Sequence, residues 1–223
     1  MSELDIFFSR KFELEEFEKY STNKANYSTD ELISYIHSLI SIPYANFIDY
    51  VRDHHYDICL LSSDIPQFSS LESATIKICS ILKECAPRQS YTFDEIGKLL
   101  LDDKERTPTA LKKYGENHVK TAVDFGLCIR KGNKFILSPL GYSYPELEHE
   151  VQVRLLSRLV LRHKFVFRVI HKVLNGQFVN VEEEIAFLSA STITRRKGNC
   201  LLLCRLISEN KEIDTNHILS QIS

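Results

Sequence analysis

Apolar residues recur at helical spacing along most of the chain, and alternating apolar and polar residues replace that spacing at one place. The elements predicted after residue 70 are a helix at 71–85, a strand at 91–93, a helix opened by Thr92 and Glu95, a helix ended by Gly126, and strands at 127–131 and 134–138. Gly132-Asn133 between the two strands is a strong signal for a two-residue hairpin. The pattern therefore predicts helix, strand, helix, helix and hairpin, in that order.

The residues on either side of this block are also predicted to be helical. Residues 1–70 are acidic and rich in aromatic residues, with a capping-box signature at Ser28 and Glu31 and a boundary near Pro66. The later elements are a long helix from Glu146 to Leu174, a strand at 179–181, a helix at 184–188 after a cap formed by Asn180 and Glu183, and a last helix capped by Ser191. A second hairpin is absent or irregular.

The last helix has two different halves. The side predicted to face solvent carries Thr194, Arg195, Gly198 and Asn199, and the opposite side carries Ile193, Cys200, Leu203, Cys204 and Ile207. An arginine can pair with guanine and an asparagine with adenine, and a glycine between them lets the backbone approach a groove. Ser191 and Thr192 at the helix start are placed to contact a phosphate. The alternative is a solvated helix turn.

Charge varies along the chain although the net charge is −2. Residues 1–70 hold 5 Lys and Arg against 12 Asp and Glu, residues 71–150 hold 12 of each, and residues 151–223 hold 11 against 6. The basic C-terminal third suits phosphates and the acidic N-terminal third suits a protein partner. The alternative is ordinary surface variation.

The order of elements in residues 71–144 resembles that of the winged-helix family. The resemblance implies that residues 115–125 form a recognition helix and that Lys131, Gly132, Asn133 and Lys134 form the tip of a wing. In that family's mode of binding, Lys120 on the helix and Lys131 and Lys134 on the wing would contact duplex DNA. The expected fold is mainly α with small β-hairpin wings.

Residues 146–223 resemble a second copy of the same module. Ile81-Leu82-Lys83 and Ile170-His171-Lys172 close corresponding helices, and the two triplets lie 89 residues apart. The expected organisation is therefore an N-terminal helical region at 1–70, a winged-helix domain at 71–145 and a second one at 146–223. The run from Thr192 to Arg196 is also similar to a Thr-x-Arg-Arg pattern in helix-turn-helix modules of bacterial restriction and phage-defence proteins.

Three arginines follow one another at spacings of four in the predicted long helix, namely Arg154, Arg158 and Arg162. Such a stripe could follow a phosphate backbone. The other sides of residues 151–174 are strongly apolar, which favours a packing helix between domains or a dimer interface. Arg196 lies off the reading face, and we expect it to pair with the acidic run Glu182 to Glu184.

Signals for catalysis, metals and cofactors are poor. The seven Gly form no phosphate-binding loop, and His54-His55 lacks further ligands at a suitable spacing. Six Cys contain no Cys-x-x-Cys pair, so we expect reduced thiols; no membrane span or secretion signal is evident, so we expect a cytoplasmic protein.

Two function classes remain. The first is a non-catalytic protein that binds duplex DNA, in a bacterial defence or regulatory system. The second is a docking subunit of a DNA-acting ATPase or nuclease complex, with a protein partner or a homodimer held through the N-terminal region and residues 151–174.

Overall fold

The computed structural model describes residues 2–9, 29–54, 59–85, 90–101 and 106–223. These residues are mainly helical and contain one two-stranded antiparallel sheet, which confirms the predicted mainly α class with a small hairpin. The helices are α1 (Glu3–Ser9), α2 (Thr29–Ser41), α3 (Tyr44–Asp53), α4 (Ile78–Cys85), α5 (Phe93–Leu100), α6 (Pro108–Asp124), α7 (Pro139–Ser143), α8 (His149–Leu159), α9 (Lys164–Leu174), α10 (Val181–Glu184), α11 (Ala190–Arg205) and α12 (Asn216–Leu219). The strands are β1 (Cys128–Lys131) and β2 (Lys134–Leu137).

The chain forms two compact units, and each unit combines two stretches of sequence. Unit 1 contains Met1–His37 and Phe68–Glu148, and unit 2 contains Ser38–Gln67 and His149–Ser223. The predicted segments 1–70, 71–145 and 146–223 do not coincide with these units, because residues 38–67 pack with the C-terminal stretch. The predicted capping box at Ser28 and Glu31 lies outside the residues whose side chains are described.

In unit 1, α5 and α6 approach each other closely at two glycines. A Cβ atom on Gly97 would lie 2.0 Å from the carbonyl oxygen of Leu111, and one on Gly115 would lie 1.9 Å from that of Phe93. Larger residues at either position would force the two backbones apart. The predicted capping box of Thr92 and Glu95 is present at the start of α5. A local capping signal therefore fixes the start of α5, and the two glycines allow α6 to pack closely against it.

The predicted hairpin is present, with Lys131 paired to Lys134 across the turn. Gly132 in that turn has a φ of 62°, and Gly126 after α6 has a φ of 73°; both angles lie in the left-handed region that glycine adopts without a steric penalty. Tyr91 forms a bridge to Phe135, so the predicted strand at 91–93 is reduced to one paired residue at the edge of the hairpin.

In unit 2, the prediction of one continuous helix from residue 146 to residue 174 is wrong. The chain forms α8, one 3₁₀ turn at Val160–Arg162 and then α9, which begins after His163 in an extended conformation. Leu159, Val160 and Leu161 are all fully buried. Three consecutive residues of a straight helix span about 200° around its axis, so the break allows all three to reach the core.

The apolar side chains of α9 pack inside unit 2. Six of them are buried: Phe165, Val166, Phe167, Val169, Ile170 and Val173. The helix contacts α3, α11 and α12, all of which belong to the same unit. The apolar surface that favours a dimer interface at 151–174 is therefore largely used within the chain.

The C-terminal residues take the place in the sequence where a second hairpin would lie. Residues 206–223 are all described and contain no strand pair of their own. Instead, Val179 N–H donates to the carbonyl of Gln221 at 2.8 Å, and Ser223 N–H donates to the carbonyl of Val179 at 3.0 Å. This isolated parallel bridge between Val179 and Ile222 connects the chain just before α10 to the chain after α12, so the predicted strand at 179–181 is reduced to one bridged residue.

Candidate nucleic-acid interface

The candidate reading helix is α11, and its two halves differ in burial as the sequence predicts. Cys200, Leu203 and Cys204 are buried in its C-terminal half. Burial raises the pKa of the Cys200 thiol to about 12, so this thiol stays protonated at neutral pH. The N-cap lies two residues before the predicted one: Ser189 is at the N-cap, the helix begins at Ala190, and Ser191 lies in its first turn.

Three of the four predicted reading positions face solvent. Thr194, Arg195 and Gly198 are exposed, whereas Asn199 is half-buried. The guanidinium of Arg195 donates to the carbonyl of Ser191 at 3.3 Å and to the hydroxyl of Thr192 at 3.2 Å. Apart from its two chain neighbours and the backbone of its own helical turns, no atom of the described residues lies within 4 Å of the position that a Cβ on Gly198 would take. This half of the helix is therefore open to an incoming ligand.

Arg196 has the structural role expected of it, but its partners are different. Its guanidinium donates to the carbonyls of Ser62 at 2.6 Å and Ile65 at 3.3 Å and to the side-chain oxygen of Gln67 at 2.8 Å. The predicted pairing with the run Glu182 to Glu184 is wrong. Arg196 instead fastens the segment 62–67 to α11.

The glutamates of α10 form ion pairs with lysine and arginine side chains other than Arg196. Lys197 pairs with Glu182 at 2.8 Å, and both Arg168 and Lys172 pair with Glu184. Burial opposes ionisation of Glu184, but the hydrogen bonds from Lys172 and Arg168 outweigh burial and lower its pKa. Charges between α9, α10 and α11 are therefore largely compensated.

The predicted basic stripe on residues 151–174 is wrong at its centre. Arg158 is 0% exposed, and its guanidinium donates to the carboxylate of Glu212 at 2.8 Å and to the carbonyl of Ile42 at 3.0 Å. Arg154 shares the same carboxylate at 3.0 Å, and Arg162 is half-buried. The burial of Arg158 and the ion pair of Arg154 with Glu212 interrupt the stripe, so the three arginines do not form a continuous surface that could follow a phosphate backbone.

The carboxylate of Glu212 anchors this buried cluster. Its second oxygen accepts the backbone N–H of Tyr44 at 2.9 Å. Burial opposes ionisation of Glu212, but the hydrogen bonds from Arg158, Tyr44 and Arg154 together with the charge of Arg158 lower its pKa. The guanidinium of Arg158 also lies 5.4 Å from the ring centres of both Tyr44 and Phe47. The cluster thus joins residues 40–47 to α8 and to the loop after α11.

Unit 1 presents the predicted wing tip to solvent. Lys131, Gly132, Asn133 and Lys134 are all exposed. Lys120 on α6 is 31% exposed, and its ammonium pairs with Glu116 at 2.6 Å. Lys113 pairs with the same carboxylate at 3.2 Å, so Glu116 restrains both lysines on the helix surface.

A basic stretch in unit 1 is hidden when charges are counted over thirds of the chain. Residues 106–134 contain α6 and the hairpin and hold seven Lys and Arg against two Asp and Glu. The additional exposed cations are Arg106, Lys112, Lys113 and Arg130. A shorter counting window finds them from sequence.

The charge gradient along the sequence does not carry over to the two compact units. Unit 2 holds 12 Lys and Arg against 11 Asp and Glu, because residues 38–67 and Glu150 add acids to the basic C-terminal third. Unit 1 holds 16 against 19. Local clusters, and not the net charge of a unit, are therefore the relevant electrostatic features.

His118 is a buried titratable side chain of α6, a helix within the basic stretch 106–134. Its Nδ1 lies 2.8 Å from the carbonyl oxygen of Tyr114, so Nδ1 carries the hydrogen. Nε2 then accepts from the backbone N–H of Ser69 at 3.2 Å and from its hydroxyl at 2.9 Å. Burial lowers the pKa of His118, which keeps the ring neutral and the chain at Ser69 attached to α6.

In the described residues, no group of three or more His, Cys, Asp and Glu side chains is arranged to hold a metal ion. Over the same ranges, every helix is too short or too polar to cross a bilayer. Neither a protein-family model nor a curated protein nor a solved structure matches the chain.

Proposed function

We propose that this protein is a non-catalytic DNA-binding protein that reads duplex DNA with the N-terminal half of α11. The observation that carries the proposal is the exposed face formed by Thr194, Arg195 and Gly198 on a helix that buries Cys200, Leu203 and Cys204 in its other half. The guanidinium of Arg195 bonds to groups of its own helical turn, so exchanging those weak local bonds for a guanine edge or a phosphate costs little.

The second part of the proposal is a winged-helix module in unit 1. Helix α4, the bridge at Tyr91, α5, α6 and the β1–β2 hairpin follow the order of that family. The stretch 106–134 carries an excess of five positive charges, which favours attraction to a phosphate backbone. Unit 2 is proposed as a second, wingless copy. The resemblance at Thr192 to Arg196 favours a role in bacterial defence or regulation.

Binding to a labelled random DNA duplex at low salt tests the proposal. The double variant Arg195→Ala plus Asn199→Ala should bind about 10-fold more weakly, because one good side-chain contact is worth about 1–3 kcal/mol. Lys211→Ala is the matched control, since Lys211 is an exposed cation of the same unit. Equal binding by the wild type and the double variant would contradict the role of α11.

The contribution of the hairpin is tested by salt dependence. Removing one lysine that touches a phosphate should lower the slope of log K against log salt by about 0.9. The variant Lys131→Ala plus Lys134→Ala should therefore reduce the slope by about 2. An unchanged slope would show that the hairpin does not touch the phosphates.

A further inference from the structure

A short chain of hydrogen bonds in unit 1 joins an exposed serine to a buried histidine. Ser69 is exposed, and its Oγ lies 2.9 Å from Nε2 of His118, which is 1% exposed. On the far side of the imidazole, Nδ1 lies 2.8 Å from the carbonyl oxygen of Tyr114. All three residues belong to the same compact unit. The serine therefore faces solvent while the imidazole behind it is fixed by the backbone.

The hydrogen bond at Nδ1 decides which nitrogen of His118 is basic. A carbonyl oxygen only accepts, so Nδ1 carries the hydrogen and Nε2 presents its lone pair to Ser69. Burial lowers the pKa of His118 more than the bond to Tyr114 raises it, and the charge of Lys77 acts in the same direction as burial. The imidazole is therefore neutral at pH 7. A neutral imidazole that contacts a hydroxyl and is oriented by a third group activates a serine as a nucleophile.

Groups that stabilise a negatively charged oxygen lie beside the same hydroxyl. The phenol oxygen of Tyr114 is 3.1 Å from Oγ of Ser69, and it is the donor when Oγ gives its own hydrogen to His118. The backbone N–H of Ser69 lies 3.2 Å from Nε2 and loses that acceptor once Nε2 takes a proton. A helix begins at Leu71, where the first N–H groups lack acceptors within the helix. Neutral donors suit the single negative charge that develops on an ester carbonyl oxygen.

The neighbouring serine has a different environment. Ser70 is exposed, and its Oγ donates to the hydroxyl of Ser73 at 2.8 Å and accepts the backbone N–H of Ser73 at 3.1 Å. These bonds cap the first turn of the helix. Ser69 and Ser70 are thus adjacent exposed serines, and the hydroxyl of Ser69 is the one that lies against the imidazole of His118.

We propose that Ser69 is a site of acyl transfer, with His118 as the general base and a small activated carboxylic ester as the acyl donor. Oγ attacks the carbonyl carbon of the ester while the hydroxyl proton passes to Nε2, and the oxyanion accepts a hydrogen bond from Tyr114. The bond from carbon to the leaving group then breaks. The leaving oxygen takes the proton from Nε2, and the acyl group stays on Ser69 as an ester. This modification uses one acyl group per chain, goes beyond the proposed DNA binding and does not depend on it.

The test uses the full-length protein with two reagents, a fluorophosphonate probe and p-nitrophenyl acetate as the activated ester. Peptide mass spectrometry should place the fluorophosphonate label on Ser69. The ester should release nitrophenol in a burst of about one equivalent per chain. Ser69→Ala should abolish both signals. His118→Gln should lower the labelling rate by about 100-fold or more, because a positioned general base contributes about 100- to 10,000-fold.

Ser70→Ala is the matched control and should be labelled as fast as the wild type. The wild-type labelling rate should rise with pH through the pKa of His118 and become constant above about pH 6.5, where the imidazole is neutral. Tyr114→Phe removes only the phenol hydroxyl and should slow labelling at least about 10-fold. The pH profile and this variant decide the question even if His118→Gln does not fold, as judged by circular dichroism.

A purely structural contact between Ser69 and His118 predicts different results. Labelling would then be equally slow at Ser69 and Ser70, and its rate would rise steadily with pH. The proposal is overturned by either of these results. It is also overturned if folded His118→Gln is labelled as fast as the wild type.

Discussion

Arg158→Met tests whether the buried arginine cluster holds unit 2 together. The substitution removes the guanidinium that donates to Glu212 at 2.8 Å, to the carbonyl of Ile42 at 3.0 Å and to that of Arg154 at 2.9 Å. Methionine is shorter but has a similar volume, and its flexible thioether can keep apolar contact with the rings around it, so the cavity term is small. The carboxylate of Glu212 keeps Arg154 as a partner.

The expected loss of unfolding free energy is about 3–4 kcal/mol. The carbonyls of Ile42 and Arg154 lose a charged donor, which costs about 1–1.5 kcal/mol each, and the ion pair with Glu212 contributes about 1 kcal/mol. One effect acts in the opposite direction. The guanidinium of Arg158 has no solvent exposure, and methionine removes the cost of keeping this charge buried. Breaking a buried pair by replacing one partner typically costs about 3–5 kcal/mol, so the loss of these bonds should prevail.

Urea unfolding followed by far-ultraviolet circular dichroism measures the effect. With a denaturant slope of about 2 kcal/mol per M, a loss of about 3 kcal/mol moves the midpoint of unit 2 down by about 1.5 M. Arg205→Met is the control, because Arg205 is an exposed arginine of α11 and should change stability by less than about 0.5 kcal/mol.

The interaction itself is isolated by adding Glu212→Gln to both backgrounds. Glu212→Gln should cost about 1–3 kcal/mol more in the wild type than in Arg158→Met, because the pair is already broken in the variant. If Arg158→Met stays within about 1 kcal/mol of the wild type, the desolvation cost cancels the hydrogen bonds and the reasoning is refuted.

Three further predictions concern other buried contacts. The pKa of His118 is lower in the folded protein than in the unfolded chain, so the neutral ring stabilises the fold above pH about 6.5. This stabilisation is lost as the pH falls below that value. The unfolding midpoint of His118→Gln should therefore depend less on pH than that of the wild type between about pH 5 and 7.5. Gly97→Ala should destabilise unit 1 by more than about 2 kcal/mol in thermal unfolding, because the added methyl group meets the backbone of α6. Gly198→Ala should instead stabilise unit 2 by about 0.5–1 kcal/mol while weakening DNA binding. Equal effects of the two substitutions on stability would contradict the close approach of α5 and α6. Arg196→Lys should increase the rate of amide hydrogen exchange in residues 62–67, because lysine cannot keep the three hydrogen bonds of the guanidinium. Arg195→Lys is the control and should leave that rate unchanged. If exchange in residues 62–67 is equally slow in the two variants, the bonds of Arg196 do not hold that segment.

Local signals in the sequence predict much of unit 1. The capping box at Thr92 and Glu95 and the turn at Gly132-Asn133 depend on residues at most three positions apart, so the sequence pattern is sufficient to identify them. The two halves of α11 are also predictable, because burial repeats with the helical period. The start of α11 is not, since several hydroxyl residues compete for the cap and the structure has Ser189 there instead of Ser191.

The sequence by itself determined where most helices and the hairpin form and which side of the C-terminal half of α11 is buried. Only the tertiary structure decided that residues 38–67 belong with the C-terminal stretch and that Arg158 is a core residue. An arginine at helical spacing has the same sequence signature on a surface and in a core. Its burial depends on Glu212 and Ile42, which lie 54 and 116 residues away in the chain and meet it only after folding.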